Sequence, residues 1–174
     1  MKLMRIVAVA VVVGAIAWGS TSMQVGAEDN TVREARDRAE IEALMWRYAR
    51  ALDTSNADAY AAVYTPDGQF GSGANATKGR DALRKMIADG VERQKAAAAK
   101  GEAPRPPMYH MTMNSHLSFV DKDHARIEAY WQTVFGAAGQ NTPPRVAVAG
   151  REVDKLVRMN GQWLIESRDV APRD

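Results

Sequence analysis

Hydrophobic positions along the chain follow one period and then another. From Thr31 to Leu52 they recur at three- and four-residue steps: Ala35, Ile41, Leu44, Met45, Tyr48 and Leu52. This is one face of an amphipathic helix, and Arg36, Asp37, Glu40, Arg47 and Arg50 form the solvated face opposite. Ser55 and Asp58 stand at capping-box spacing and predict a short second helix to about Tyr64. Thr65-Pro66-Asp67-Gly68 predicts a turn, followed by a brief extended piece from Gln69 to Gly71. Lys78 to about Lys100 reads as a third helix with Leu83, Met86, Ile87 and Val91 inward, ended by the three prolines between Gly101 and Pro107. The period then falls to two. Met108–Val120, Ala125–Phe135, Arg145–Met159 and Gln162–Val170 predict four antiparallel strands, the last two joined at Asn160-Gly161, a favoured hairpin turn. Helices set against such a sheet make an α+β domain, and 174 residues suffice for one domain with a real core.

The amino terminus breaks this pattern. Lys2 and Arg5 precede an apolar and small-residue run from Ile6 to Trp18, then Ser20-Thr21-Ser22 and Val25-Gly26-Ala27. That order is expected of a secretory signal peptide cut after Ala27, leaving residues 28–174 as the domain. The run is shorter than the roughly 20 residues that span a bilayer, although an uncleaved anchor is the competing reading. The expected location is therefore periplasmic or secreted, with no membrane association after cleavage. Without Lys2 and Arg5, the 23 basic side chains fall to 21 and match the 21 acidic ones. Basic and acidic residues also interleave, so nucleic acid is not an expected partner. With no cysteine, disulfides, thiolate metal sites and a lipid-modified amino terminus are excluded.

Catalytic motifs are sparse. No nucleophile elbow or phosphate-binding glycine loop occurs. The three histidines lack metal-ligand spacing to carboxylates, so no metal is expected. Phe70, Tyr130, Trp131 and Phe135 are the aromatic candidates for lining a pocket. By strand parity Asn114 and His116 share a face with His110. Asn114 is taken as a substrate contact and His116 as a surface or interface residue.

Several pieces together resemble a known family. Met45-Trp46-Arg47-Tyr48-Ala49-Arg50-Ala51-Leu52-Asp53, then Asp58, Tyr64 and Pro66-Asp67-Gly68, are similar to the opening of SnoaL-like proteins of the nuclear transport factor 2-like superfamily. His110-Met111-Thr112-Met113-Asn114, and the closing stretch Leu156 to Ile165 with Arg168, continue the resemblance over roughly Arg33 to Val170. It implies a curved sheet wrapped around about three helices to form a cone-shaped pocket. It also implies cofactor-independent proton transfer on a hydrophobic small molecule, and a homodimer or higher oligomer.

Within that family, Ser72 falls where ketosteroid isomerase carries its catalytic aspartate, which disfavours isomerisation. Asp53 and His110 match the aspartate and histidine of scytalone dehydratase. Its second histidine has no counterpart between Thr133 and Ala137, and its tyrosine before the aspartate is Leu52 here. The resemblance implies His110 as general acid and base, Asp53 as its partner and Tyr48 as a hydroxyl donor, with Leu52, Phe70 and Trp131 against substrate. A histidine titrates near neutrality, so one imidazole can remove a proton and return it to a departing hydroxyl. The expected activity is a dehydratase-type lyase acting on a hydrophobic molecule such as an aromatic, terpenoid or steroid, with carbon–carbon cleavage as a neighbouring reaction. The alternative is a non-catalytic binding or dimerisation module of the same fold.

Overall fold

A computed structural model describes residues 17–137 and 142–172, with side chains from Asp29 onward. The expected signal segment, residues 1–27, lies outside the described residues up to residue 16, and beyond that only its helical backbone is described. Among the described residues, no helix is long and apolar enough to cross a membrane. The chain divides into two compact units, Met1–Ala39 and Glu40–Asp174. The first contributes the early turns of a helix, α1, Ala17–Asp53. Asp37 in those turns is buried and Ala35 exposed, so the predicted stripe is regular only from Ile41 onward.

The second unit holds the rest. After α1 come α2 (Ala57–Ala62), β1 (Tyr64–Phe70), a 3-10 turn (Gly73–Asn75), β2 (Thr77–Lys78) and α3 (Arg80–Ala99). Four long strands follow: β3 (Met108–Phe119), β4 (His124–Phe135), β5 (Arg145–Met159) and β6 (Gln162–Asp169). Asn56, rather than Ser55, caps α2, its side chain accepting from the Ala59 amide. Ser55 instead takes a left-handed φ of 53° in the turn before it. Gly101, at φ 80°, closes α3.

The six strands form one sheet in the order β2-β1-β6-β5-β4-β3. Every pairing is antiparallel except β1 with β6, which is parallel, so the sheet is mixed. The predicted turn at Thr65–Gly68 is a bulge inside β1: Tyr64 pairs with Ile165 and Gln69 with Ser167, a step of five residues against a step of two. A side chain at Gly68 would place its Cβ 2.8 Å from the Cβ of Tyr64, which is why glycine is needed there. Further register shifts in β3, β5 and β6 bend the sheet.

The core lies where this curved sheet meets the helices. Ile41, Leu44 and Tyr48 of α1, Tyr60 of α2 and Leu83 of α3 pack with Ile127, Leu156, Trp163 and Ile165 of the sheet. Burying each large side chain stabilises the fold by about 1.5–3 kcal/mol before the entropy cost is counted. The inward positions of β5, however, are not all apolar. Glu152 and Asp154 precede Leu156 at two-residue spacing, and all three are almost fully buried.

Candidate active site

The last residue of α1 meets the third residue of β3. Asp53 Oδ1 accepts from the His110 backbone N–H at 2.9 Å and lies 2.9 Å from His110 Nδ1. One oxygen thereby fixes both the strand and the ring. It assigns the proton to Nδ1 and leaves Nε2 as the basic nitrogen. Asp53 Oδ2 has Arg50 Nη1 at 3.5 Å. The Asp53 side chain is 9% exposed and that of His110 21%, so the pair is shielded but reachable.

His110 lies on the wall of a cavity of about 230 Å³. Tyr48 and Leu52 of α1, Phe70 of β1 and Trp131 of β4 line it too, together with Met86 of α3 and Arg168 of β6. The placement of Tyr48, Leu52, Phe70, His110 and Trp131 around one space follows from their elements, since the end of α1 packs into the same core as the sheet. Trp131 is held by its indole N–H, 3.0 Å from the carbonyls of Arg151 and Val170.

Asn114 does not join them. It sits at φ 50° in a bulge, with Met113 opposite Tyr130 and His116 opposite Glu128. The extra residue breaks the parity that would have aligned Asn114 with His110. Asn114 instead lines an open depression of about 740 Å³ with Met113, Tyr130 and Arg151. Tyr130 is 53% exposed there, so neither it nor Phe135, which lies under the guanidinia of Arg105 and Arg145, lines the cavity. His116 is exposed, and His124 pairs with Asp121 at the β3–β4 turn.

A buried charged group lies behind the cavity. Arg168 is 3% exposed, and its Nη1 and Nη2 donate to Asp154 and Glu152. Thr112 donates its hydroxyl to the other Glu152 oxygen at 3.2 Å. The guanidinium lies over the Tyr48 ring at 4.2 Å. Tyr48 in turn packs against Tyr60 at 5.5 Å, and Tyr60 and Tyr64 share a hydroxyl hydrogen bond of 3.1 Å. Burial pushes the Tyr48 phenol above its ordinary range against the opposing pull of Arg168, so it stays a neutral donor. A signal for this cluster was present: an acid-x-acid alternation on an inward strand face, with Asp154 directly opposite Arg168.

Two carboxylates share one guanidinium, and burial raises both. Asp154 is pushed up to about 7 by desolvation, opposed by Arg168 and reinforced by the neighbouring Glu152. Its Oδ1 meets no hydrogen-bond partner, which leaves an ionised Asp154 half unsolvated. An acid whose pKa is raised on folding binds more protons folded than unfolded between its ordinary value near 4 and about 7. Its contribution to stability is therefore full below pH 4 and is lost as pH rises through 7. Asp154→Asn keeps an acceptor for Arg168 Nη1 and removes the ionisation. The variant should gain on the wild type in denaturant midpoint as pH rises from 4 to 8, and a constant difference between them would contradict this.

The SnoaL-like domain family matches residues 33–169, nearly the whole described chain. The chain belongs to that family. Solved structures of SnoaL-like and related proteins share its fold. A nuclear transport factor 2-like protein with a cystatin-like fold, from Novosphingobium aromaticivorans, is 22% identical, with a TM-score of 0.66 over 84% of this chain and 88% of that one. A candidate scytalone dehydratase from the same organism is 21% identical, with a TM-score of 0.63 over 80% of this chain and 85% of the other. A Catenulispora acidiphila protein, solved in complex with S-DNPA, is 23% identical, with a TM-score of 0.60 over 77% and 91% of the two chains. No curated protein matches in sequence. The three helices and curved sheet are thus the fold these structures share. Among the described residues, no three His, Cys, Asp or Glu side chains stand together to hold a metal ion.

Proposed function

We propose that this SnoaL-like protein is an exported lyase that eliminates water, without a cofactor, from a hydrophobic small molecule in the cavity beside His110. The observation that carries the proposal is the 2.9 Å contact of Asp53 Oδ1 with His110 Nδ1, made by a histidine that also lines a largely apolar cavity. His110 Nε2 takes the proton from the carbon next to the one bearing the hydroxyl. The C–H electron pair becomes the double bond as the C–O bond breaks, and the imidazolium returns the proton to the departing oxygen. Asp53 stabilises the imidazolium through Nδ1–H, and Tyr48 donates to an oxygen of the bound molecule. The fold of a candidate scytalone dehydratase and the ligand in the Catenulispora complex are consistent with this reading. Incubating the protein with hydroxylated ring compounds and following loss of 18 mass units tests it. Release of formaldehyde instead would assign carbon–carbon cleavage, and no mass change across the panel would favour a binding module.

We also propose that a second copy covers the outer face of the sheet. Tyr109, Met113, Tyr130 and Val146 are 44%, 37%, 53% and 55% exposed there and fall on one face by strand register. Exposed large apolar side chains gathered on one sheet face point to an association surface. Tyr130→Glu should convert a dimer into a monomer in sedimentation experiments. A wild-type monomer at micromolar concentration would remove the idea.

A further inference from the structure

Resting on the assignment of this cavity as the reaction site, we infer that its ligand is a neutral molecule of a single ring with a short polar substituent. Volume is the first ground. A space of about 230 Å³, filled to the interior packing density of about 0.75, takes a ligand of about 170 Å³ van der Waals volume. That is one ring and a few substituent atoms. The space is smaller than the roughly 300–1,000 Å³ typical of pockets for drug-sized ligands, and a fused four-ring skeleton would extend beyond it. The limit is set by Leu52 of α1, Phe70 of β1, Met86 of α3 and Trp131 of β4. Walls from four elements do not retreat together when one loop moves.

Charge is the second ground. Among the described residues Arg168 is the one guanidinium on the wall, and both its terminal nitrogens are held by Glu152 and Asp154. An anionic ligand would meet a guanidinium whose charge is already balanced by two acidic side chains directly behind it. A cationic ligand fares no better, since the Asp53 carboxylate is turned onto the amide and ring of His110. What the wall does offer is Tyr48, Thr112, Gln132 and His110, which suit a neutral hydroxyl or carbonyl. Apolar contact from Ala49, Leu52, Val148 and Val170 surrounds them.

Calorimetric titration of the full chain with 2-phenylethanol, 4-ethylphenol, phenylacetate and testosterone tests the inference without needing turnover. At least one of the two neutral single-ring alcohols should bind ten-fold or more tightly than either phenylacetate or testosterone. Equal or tighter binding of the acid or the steroid overturns the inference, and so does no heat from either single-ring alcohol. Leu52→Ala on α1 and Met86→Ala on α3 each enlarge the space. Each should improve binding of 2-(2-naphthyl)ethanol relative to 2-phenylethanol by about ten-fold, and an unchanged ratio in both would show that these walls do not set the limit. Selective single-ring binding without loss of water would keep this inference and sink the lyase reading. Dehydration of a four-ring alcohol would do the reverse.

Discussion

Arg168→Met is expected to destabilise the protein by about 3–5 kcal/mol, the usual cost of removing one partner from a buried ion pair. The side chain is almost completely buried and donates to two carboxylates. Methionine fills similar volume, so lost packing is a small part of the effect. The large part is two buried acids left without a counter-ion. Burial already pushes Glu152 upward, and Asp154 up to about 7, with Arg168 present to oppose it. Without the guanidinium both must protonate or draw in water. The loss should therefore shrink as pH falls from 8 to 4, because the folded variant then binds protons that the unfolded chain does not. Adding Glu152→Gln and Asp154→Asn to Arg168→Met should recover part of the stability at pH 8. Chemical denaturation across that pH range measures all three effects. A loss under about 1 kcal/mol, independent of pH, would mean that the cluster is hydrated and of no structural consequence.

Much of the fold was legible because it depends on periodicity. The four long strands fall within one or two residues of where the period-two pattern and the Asn160-Gly161 turn put them. Both helical periods in the second unit hold, since an amphipathic stripe and a proline-rich stop are local features. The departures come where tertiary pairing overrides local chemistry. Thr65-Pro66-Asp67-Gly68 has turn composition, yet it is drawn into β1 because Tyr64 and Gln69 on either side pair with β6. Asn114 was misplaced for a related reason. Strict alternation cannot see a bulge, and asparagine tolerates the left-handed φ that makes one. Asp53 and His110 are separated by 57 residues, and no spacing rule relates them. Only the family resemblance singled them out as a pair. The Glu152–Arg168–Asp154 cluster was in principle readable from acidic residues on an inward strand face. Charged residues are rarely buried unless paired, and this pairing is visible only once β5 and β6 are side by side.

His110→Ala should lower turnover of any dehydrated substrate by about 10²–10⁴, the range for a positioned acid–base group. Each factor of ten is about 1.4 kcal/mol of transition-state stabilisation, so the expected loss is about 3–5 kcal/mol. Asp53→Asn is the sharper test. The asparagine oxygen can still accept from the His110 backbone N–H and from Nδ1–H, so strand position and tautomer survive. What disappears is the negative charge that stabilises the imidazolium once Nε2 has taken the proton. A comparable fall in kcat with little change in KM would place Asp53 in the proton transfer, because the interaction strengthens only as charge develops. A rise in KM alone would make it a strand anchor. The two losses should not add, since both substitutions disable one proton-transfer unit: the double variant should be close to the worse single variant. Losses that multiply would mean that the two residues act separately, and the 2.9 Å contact would then be structural.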